Sequence, residues 1–178
     1  MSKDEQLMSR VAKGDLDLFE EIVRRHQRTA WRIAFRFLGD SAEAEDIAQD
    51  AFLRILAAAP RYKPSATFST YLYRVVVRLC IDHTKKKRPI FDNTLLKSID
   101  PSPGPAATLI RKDKNALVRR AIGTLPFRQR MVVILKYYEG LRYDEIARAM
   151  GTTVKAVERL LNRARTALKT SLFSPGVK

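Results

Sequence analysis

The sequence predicts an all-α protein built as two small helical domains joined by an extended linker. Three observations carry that expectation. Apolar residues recur at spacings of three and four along most of the chain, the period of an amphipathic helix, and no stretch alternates as a strand would. The run Pro101-Ser102-Pro103-Gly104-Pro105 interrupts the pattern and cannot continue a helix. At 178 residues the chain has length for one domain or two small ones, and 46% apolar residues suffice for packed cores.

The first strong helical pattern runs from Asp15 to Leu38, with Leu18, Phe19, Ile22, Val23, Ala30, Ile33 and Phe37 on one stripe. Gly39 suits the left-handed residue that closes a helix. Asp40 or Ser41 can cap the next helix, and Glu43 stands three after Asp40, as a capping box requires. That helix reaches about Ala58, before Pro60, and its buried stripe is Ala44, Ile47, Ala48, Ala51, Phe52 and Ile55. A loop with two prolines, Pro60 and Pro64, follows. Thr67 caps a long helix from Phe68 to Lys87, whose end carries Lys85, Lys86, Lys87 and Arg88, cations that suit the negative end of the helix dipole.

These elements make a first domain, residues 1–88. Residues 89–115 are expected to be a flexible linker, extended because of its prolines. The second domain, 116–178, opens with a helix carrying Leu117, Ala121, Ile122 and Leu125. Pro126 starts another, with Met131, Val132, Ile134 and Leu135, and Gly140 breaks it. A short helix from Tyr143 to Met150, a tight turn at Gly151-Thr152 and a last helix from about Val154 to Leu172 complete the chain.

Composition narrows the partners. The single cysteine, Cys80, excludes an internal disulfide and a multi-cysteine zinc site, and two histidines, His26 and His83, leave little for a histidine metal centre. No cofactor is expected. No apolar run approaches the roughly 18 residues of a membrane span, and the polar start Met1-Ser2-Lys3-Asp4-Glu5-Gln6 is not a signal peptide, so a cytoplasmic location without membrane insertion is expected. The net charge is +15, of which residues 116–178 carry +9 and residues 1–88 only +5. Nucleic acid is the leading partner for such a field, because neutralising phosphates releases condensed counterions.

The stretch Leu141 to Glu158 has the spacing of a helix-turn-helix. Ile146 and Ala147 face inward, Gly151 permits the turn, and Val154, Val157, Leu160, Leu161 and Leu168 hold the second helix on the first. Lys155, Glu158, Arg159, Asn162, Arg163 and Thr166 then point outward, where a helix in a major groove reads base edges. Arg159 can pair with guanine and Glu158 can accept from a cytosine amine, whereas Arg163 and Arg165 suit phosphates. The bland alternative is a solvated basic helix.

Two features mark the first domain. Glu43, Asp46 and Asp50 share one helix face, with Glu45 and Gln49 beside them, an acidic patch in a basic protein. It reads as a solvated face or as a docking surface for a protein partner. A metal-dependent enzyme is disfavoured, since no histidine, nucleophile or glycine loop stands near in sequence. Secondly, aromatic residues interleave with cations at Arg61, Tyr62, Lys63, Phe68, Tyr71, Tyr73, Arg74 and Arg78, a pattern that suits unpaired bases stacked on rings; the alternative is that Phe68, Tyr71 and Leu72 are core, which for Phe68 and Leu72 taken singly is the stronger reading. A duplex reader and a single-strand binder on one chain point to DNA opening beside a duplex anchor. A stand-alone helix-turn-helix regulator would need a dimerisation element that the sequence does not show.

These segments, taken in order, resemble an extracytoplasmic-function sigma factor, the small two-domain class of bacterial RNA polymerase specificity subunits. The resemblance runs through Leu18-Phe19-Glu20-Glu21-Ile22-Val23-Arg24-Arg25-His26, Ala44-Glu45-Asp46-Ile47-Ala48-Gln49-Asp50-Ala51-Phe52-Leu53-Arg54 and Phe68-Ser69-Thr70-Tyr71-Leu72-Tyr73-Arg74. It continues in Leu125-Pro126-Phe127-Arg128-Gln129-Arg130, in Tyr137 to Ala147 and in Arg163-Ala164-Arg165. The resemblance implies a non-catalytic initiation factor with a sigma2-like bundle and a sigma4-like helix-turn-helix domain.

By that resemblance Asp46, Gln49, Asp50 and Phe52 dock on the clamp helices of the polymerase β′ subunit, with the β subunit a further partner. Arg61 to Tyr73, with Arg74 and Arg78, hold the melted strand of the promoter −10 element, and Arg142, Tyr143 and the last helix, Lys155 to Arg165, contact the duplex −35 element. An anti-sigma factor, sometimes a membrane-held one, is the implied inhibitor. The chain departs from the family in having Tyr71 where Trp is usual, Arg78 where Asn is common, and Glu158 where many members are basic.

Overall fold

A computed structural model describes residues 2–63, 65–86 and 107–173, and every regular element among them is helical. The first helix, α1 (Lys3–Val11), is not among those expected from the sequence. Its signals are local: Glu5 reaches back to accept a hydrogen bond from the Ser2 backbone N–H, and Leu7, Met8 and Val11 turn inward. α2 (Leu18–Leu38) closes at Gly39 with φ 80°, the left-handed cap a glycine adopts without strain. α3 (Ser41–Ala58) is capped by Asp40, whose carboxylate accepts from the Glu43 N–H at 2.9 Å. A 3-10 turn (Ala59–Arg61) leads to α4 (Phe68–Lys86), where Thr67 Oγ1 accepts from the Thr70 N–H at 3.3 Å.

These helices enclose Ile22, Ile33, Phe37, Ile55, Phe68 and Leu72, all fully buried. Each such side chain contributes about 1.5–3 kcal/mol of burial free energy, and together they hold α2, α3 and α4 around one core. Cys80 lies in the same core, where burial pushes its thiol pKa up to about 12 and leaves it unreactive.

Residues 87–106, which contain most of the expected linker, lie outside the described residues. α5 (Ala107–Thr124) begins earlier than residue 116, so the end of the stretch read as linker is helical. Ala106-Ala107-Thr108-Leu109-Ile110 follows the last proline and lacks any breaker. α6 (Phe127–Val133) widens into a π-helical turn (Ile134–Tyr138), then α7 (Tyr143–Met150) and α8 (Val154–Phe173) form the helix-turn-helix around Gly151, φ 60°. Ile146, Val157, Leu161 and Ala164 are its buried contacts. Two expected core residues are instead exposed: Leu117 on α5 and Val154, the first residue of α8, which projects from the helix end before α7 can cover it.

The two domains pack together, with α4 against α7 and α2 against the π-helical turn. Glu139, its side chain only 2% exposed, accepts from Arg32 Nη2 at 2.6 Å and from Arg36 Nη1 at 2.7 Å. The Arg36 guanidinium also lies 4.6 Å from the Tyr138 ring centroid. Arg130 Nη1 donates to the Phe37 carbonyl at 2.9 Å while Nη2 donates to the Gly123 and Leu125 carbonyls, so one cation joins the carbonyl ends of α2 and α5.

Candidate docking and nucleic-acid interfaces

α2 and α3 leave a groove of about 660 Å³ between them. Its floor is Phe19 and Phe52, whose rings meet edge to face at 6.3 Å, and its walls include Val23, Trp31 and Leu53. Leu53 is 66% exposed, a large apolar residue facing solvent beside that groove. Gln49 lines the groove and Asp46 stands exposed on the same helix. Asp50 holds Arg54 through two contacts of 3.0 Å. Glu43, at the start of the acidic face, turns to His83 of α4, Oε2 to Nε2 3.1 Å. Phe52 and Gln49 therefore line the groove together with Gln27, Arg28 and Glu45, while Asp46 and Asp50 lie on α3 outside its lining. Trp31 and Leu53 were missed by sequence reading. Trp31, stacked on Phe35 at 4.8 Å, is the chain's one tryptophan and sits on the helix face that faces α3, which was the available signal.

The turn and loop before α4 form a second site. Arg61 and Lys63 are exposed, as are Arg74 and Arg78, the latter 3.8 Å from Asp82. The Tyr62 ring lies 5.7 Å from Tyr71, which meets Phe68 edge-on at 6.4 Å. Burial, and after it the nearby Glu5 carboxylate, pushes the Tyr62 phenol up to about 12, so it keeps its proton at any physiological pH. Two expected members of this site do not belong to its surface. Phe68 is 1% exposed and is a core residue, so it cannot stack on a base. Tyr73 lies two residues beyond Tyr71, about 200° round the helix. It is partly buried and close enough to Glu139 and Arg32 of the domain contact to feel both charges, and burial raises its pKa.

The helix-turn-helix is the third site. Lys155, Glu158, Arg159, Asn162 and Arg163 are all exposed along α8. Arg165 is exposed too and donates to the Tyr137 hydroxyl at 3.0 Å, which raises the pKa of its guanidinium further. At the start of α7, the Arg142 N–H donates to Glu145 Oε2 at 2.8 Å, and the Arg142 side chain reaches Asp144. Tyr143 is half-buried under Lys136, whose Nζ lies 5.0 Å from the ring centroid. The exposed face of α8 is thus a row of polar and basic groups with few internal partners, an arrangement suited to phosphates and base edges.

No described helix is long and apolar enough to cross a membrane. Known proteins divide the chain as its architecture does. Residues 22–90 match the sigma-70 region 2 model and residues 115–168 the sigma-70 region 4 model. The chain is 31% identical to the ECF RNA polymerase sigma factor SigW of Bacillus subtilis, with 93% of this chain and 94% of that one aligned. It is 29% identical to the RNA polymerase sigma-H factor of Pseudomonas aeruginosa over 96% of this chain and 94% of that one. Among solved structures, CnrH in complex with the cytosolic domain of CnrY shares the fold at a TM-score of 0.71 and 24% identity, covering 96% of this chain and 97% of CnrH. RpoE of Bartonella quintana, solved with the anti-sigma factor NepR, shares it at a TM-score of 0.69 and 18% identity, covering 86% of this chain and 96% of RpoE. With both regions in order and the likeness running nearly end to end, the chain belongs to the extracytoplasmic-function sigma factors of the sigma-70 family, non-catalytic RNA polymerase subunits that direct transcription initiation.

Proposed function

We propose that this sigma factor divides its work among the three sites. The α2–α3 groove, lined by Phe52 and Gln49, docks on the β′ subunit of core polymerase together with Asp46 and Asp50 on the neighbouring surface of α3. Arg61, Tyr62, Lys63, Tyr71, Arg74 and Arg78 hold the melted −10 strand, rings against bases and cations against phosphates. α8 reads the duplex −35 element, Arg159 and Glu158 at base edges and Lys155, Arg163 and Arg165 on the backbone. Arg142 and Tyr143 flank it from α7, and Asn162 lies between the base and phosphate contacts. The N-terminal module is residues 1–88, and the segment that ends where α5 begins tethers it to the DNA-reading module.

The observation that carries this reading is the contrast of surfaces. The groove is lined mainly by apolar side chains, with Gln27, Arg28, Glu45 and Gln49 as its polar members and the exposed Asp46 on α3 beside it, whereas the exposed groups of α8 are polar and mostly basic. An anti-sigma factor is the proposed inhibitor. Its support is that two structural neighbours, CnrH and RpoE, were solved with partner proteins, the latter named an anti-sigma factor. The place of action is the cytoplasm, where the polymerase is. Run-off transcription tests the proposal: cognate core polymerase with this chain starts at discrete promoters, and neither component does so alone. Transcripts that start at the same places without the chain would contradict it.

A further inference from the structure

Glu5 is a charged residue buried in the first domain, 6% exposed. Its two oxygens face different segments. Oε2 accepts from the Ser2 N–H at 2.5 Å, within its own helix, whereas Oε1 crosses to the Phe68 N–H at 3.1 Å. Phe68 is the first residue of α4, and its amide has no intrahelical acceptor, so a carboxylate from α1 satisfies it. A second link runs alongside. Asp4 Oδ2 lies 2.8 Å from His26 Nε2, and the His26 ring lies 4.9 Å from the Phe68 ring. α1 also packs on the 3-10 turn that ends at Arg61. The loop carrying Tyr62 and Lys63 is thereby pinned near both its ends by one helix, a helix outside the segment matched by the region 2 model, which starts at residue 22.

We infer that Glu5 is a positioning residue for strand capture: through the Phe68 amide it fixes the start of α4, and with it the Tyr62–Tyr71 ring pair and Lys63, in the geometry that receives the melted strand. The inference rests on the proposed strand-capture role of that loop. The Ser2 N–H, ahead of all else, and then the Phe68 N–H hold the Glu5 carboxyl below the ordinary Glu range, so the charged form bonds at neutral pH. A helix start left without its acceptor frays, and a loop anchored there samples more conformations, which lowers the fraction competent to bind.

The test uses holoenzyme assembled from cognate core polymerase and Glu5→Ala, Glu5→Gln or wild-type chain. The probe is the strongest promoter recovered by genomic run-off with the wild-type holoenzyme, supplied as closed duplex and with its −10 region pre-melted by mismatches. Opening of the closed duplex, read by 2-aminopurine fluorescence, is expected to slow about fivefold for Glu5→Ala, with a smaller loss on pre-melted DNA. Affinity for core polymerase is expected to stay within about twofold. Glu5→Gln keeps one oxygen for the Phe68 N–H but sets its NH2 against the Ser2 N–H, and is expected to recover part of the opening rate. Equal losses on both templates, a matching loss of core affinity, or no rescue by Gln would overturn the positioning role and leave Glu5 as general scaffold. Tyr62→Ala, run in parallel, separates the two levels. If it opens the closed duplex normally, the strand-capture reading fails and this inference falls with it. If it slows opening while Glu5→Ala does not, only the inference fails.

Discussion

α4 and α8 are the two helices expected to touch DNA, and they differ in how honestly their sequences advertise it. On α8 the expected contact residues from Lys155 to Arg165 are exposed. In and before α4 the cations Arg61, Lys63, Arg74 and Arg78 are exposed as well, but the aromatic residues split three ways: Phe68 into the core, Tyr73 to the domain contact, Tyr62 and Tyr71 into a half-buried pair. The cause is desolvation. A charged side chain is too costly to bury without partners, so its place on the outside can be inferred from its type. An aromatic ring gains by burial and also binds bases, so composition cannot decide between the two uses.

The largest effect of a single substitution is expected outside both helices, where Leu53→Asp puts a charge beside the apolar groove. It should cut promoter-specific transcription about 30-fold while leaving helical content unchanged, because Leu53 is exposed in the free chain. Next comes α8. Arg159→Ala should relax preference at one −35 base pair by about tenfold, measured by competition among promoter variants. A loss uniform over all sequences would demote Arg159 to a phosphate contact. On the α4 side, Tyr62→Ala should slow duplex opening about fivefold, with a weaker effect on pre-melted DNA. The smallest effect is expected at the domain contact. Glu139→Ala removes the shared acceptor of Arg32 and Arg36, and should destabilise the chain by about 1–2 kcal/mol, a fall of a few degrees in melting temperature. No change there would mean the contact contributes nothing to the free protein.

The helices of the first domain from Leu18 onward were legible because strong periodicity coincided with a cap: Gly39, Asp40 and Thr67 all act as their types predict. The helix-turn-helix was legible for the same reason, apart from Val154, whose exposure depends on where α7 ends. α1 was not. It is short, and its anchoring relies on Glu5 reaching a residue 63 positions away, which no local pattern encodes. The domain contact was equally hidden, since nothing local in the sequence links Arg32 and Arg36 to Glu139, more than 100 residues away. Of the groove, Phe52 and Gln49 were legible, and the carboxylates Asp46 and Asp50 proved to lie beside it. Trp31 and Leu53 complete it only because α2 and α3 pack with a gap between them.

The central claim is that the α2–α3 groove and the carboxylates of α3 beside it are the polymerase contact. Titration of labelled core polymerase with the chain tests this directly, comparing wild type with the double variant Asp46→Lys, Asp50→Lys. Both carboxylates are at the surface and contribute little to folding, so the melting temperature should hold while affinity for core falls about 100-fold through like-charge repulsion. A double variant that binds core as tightly as wild type would contradict the account.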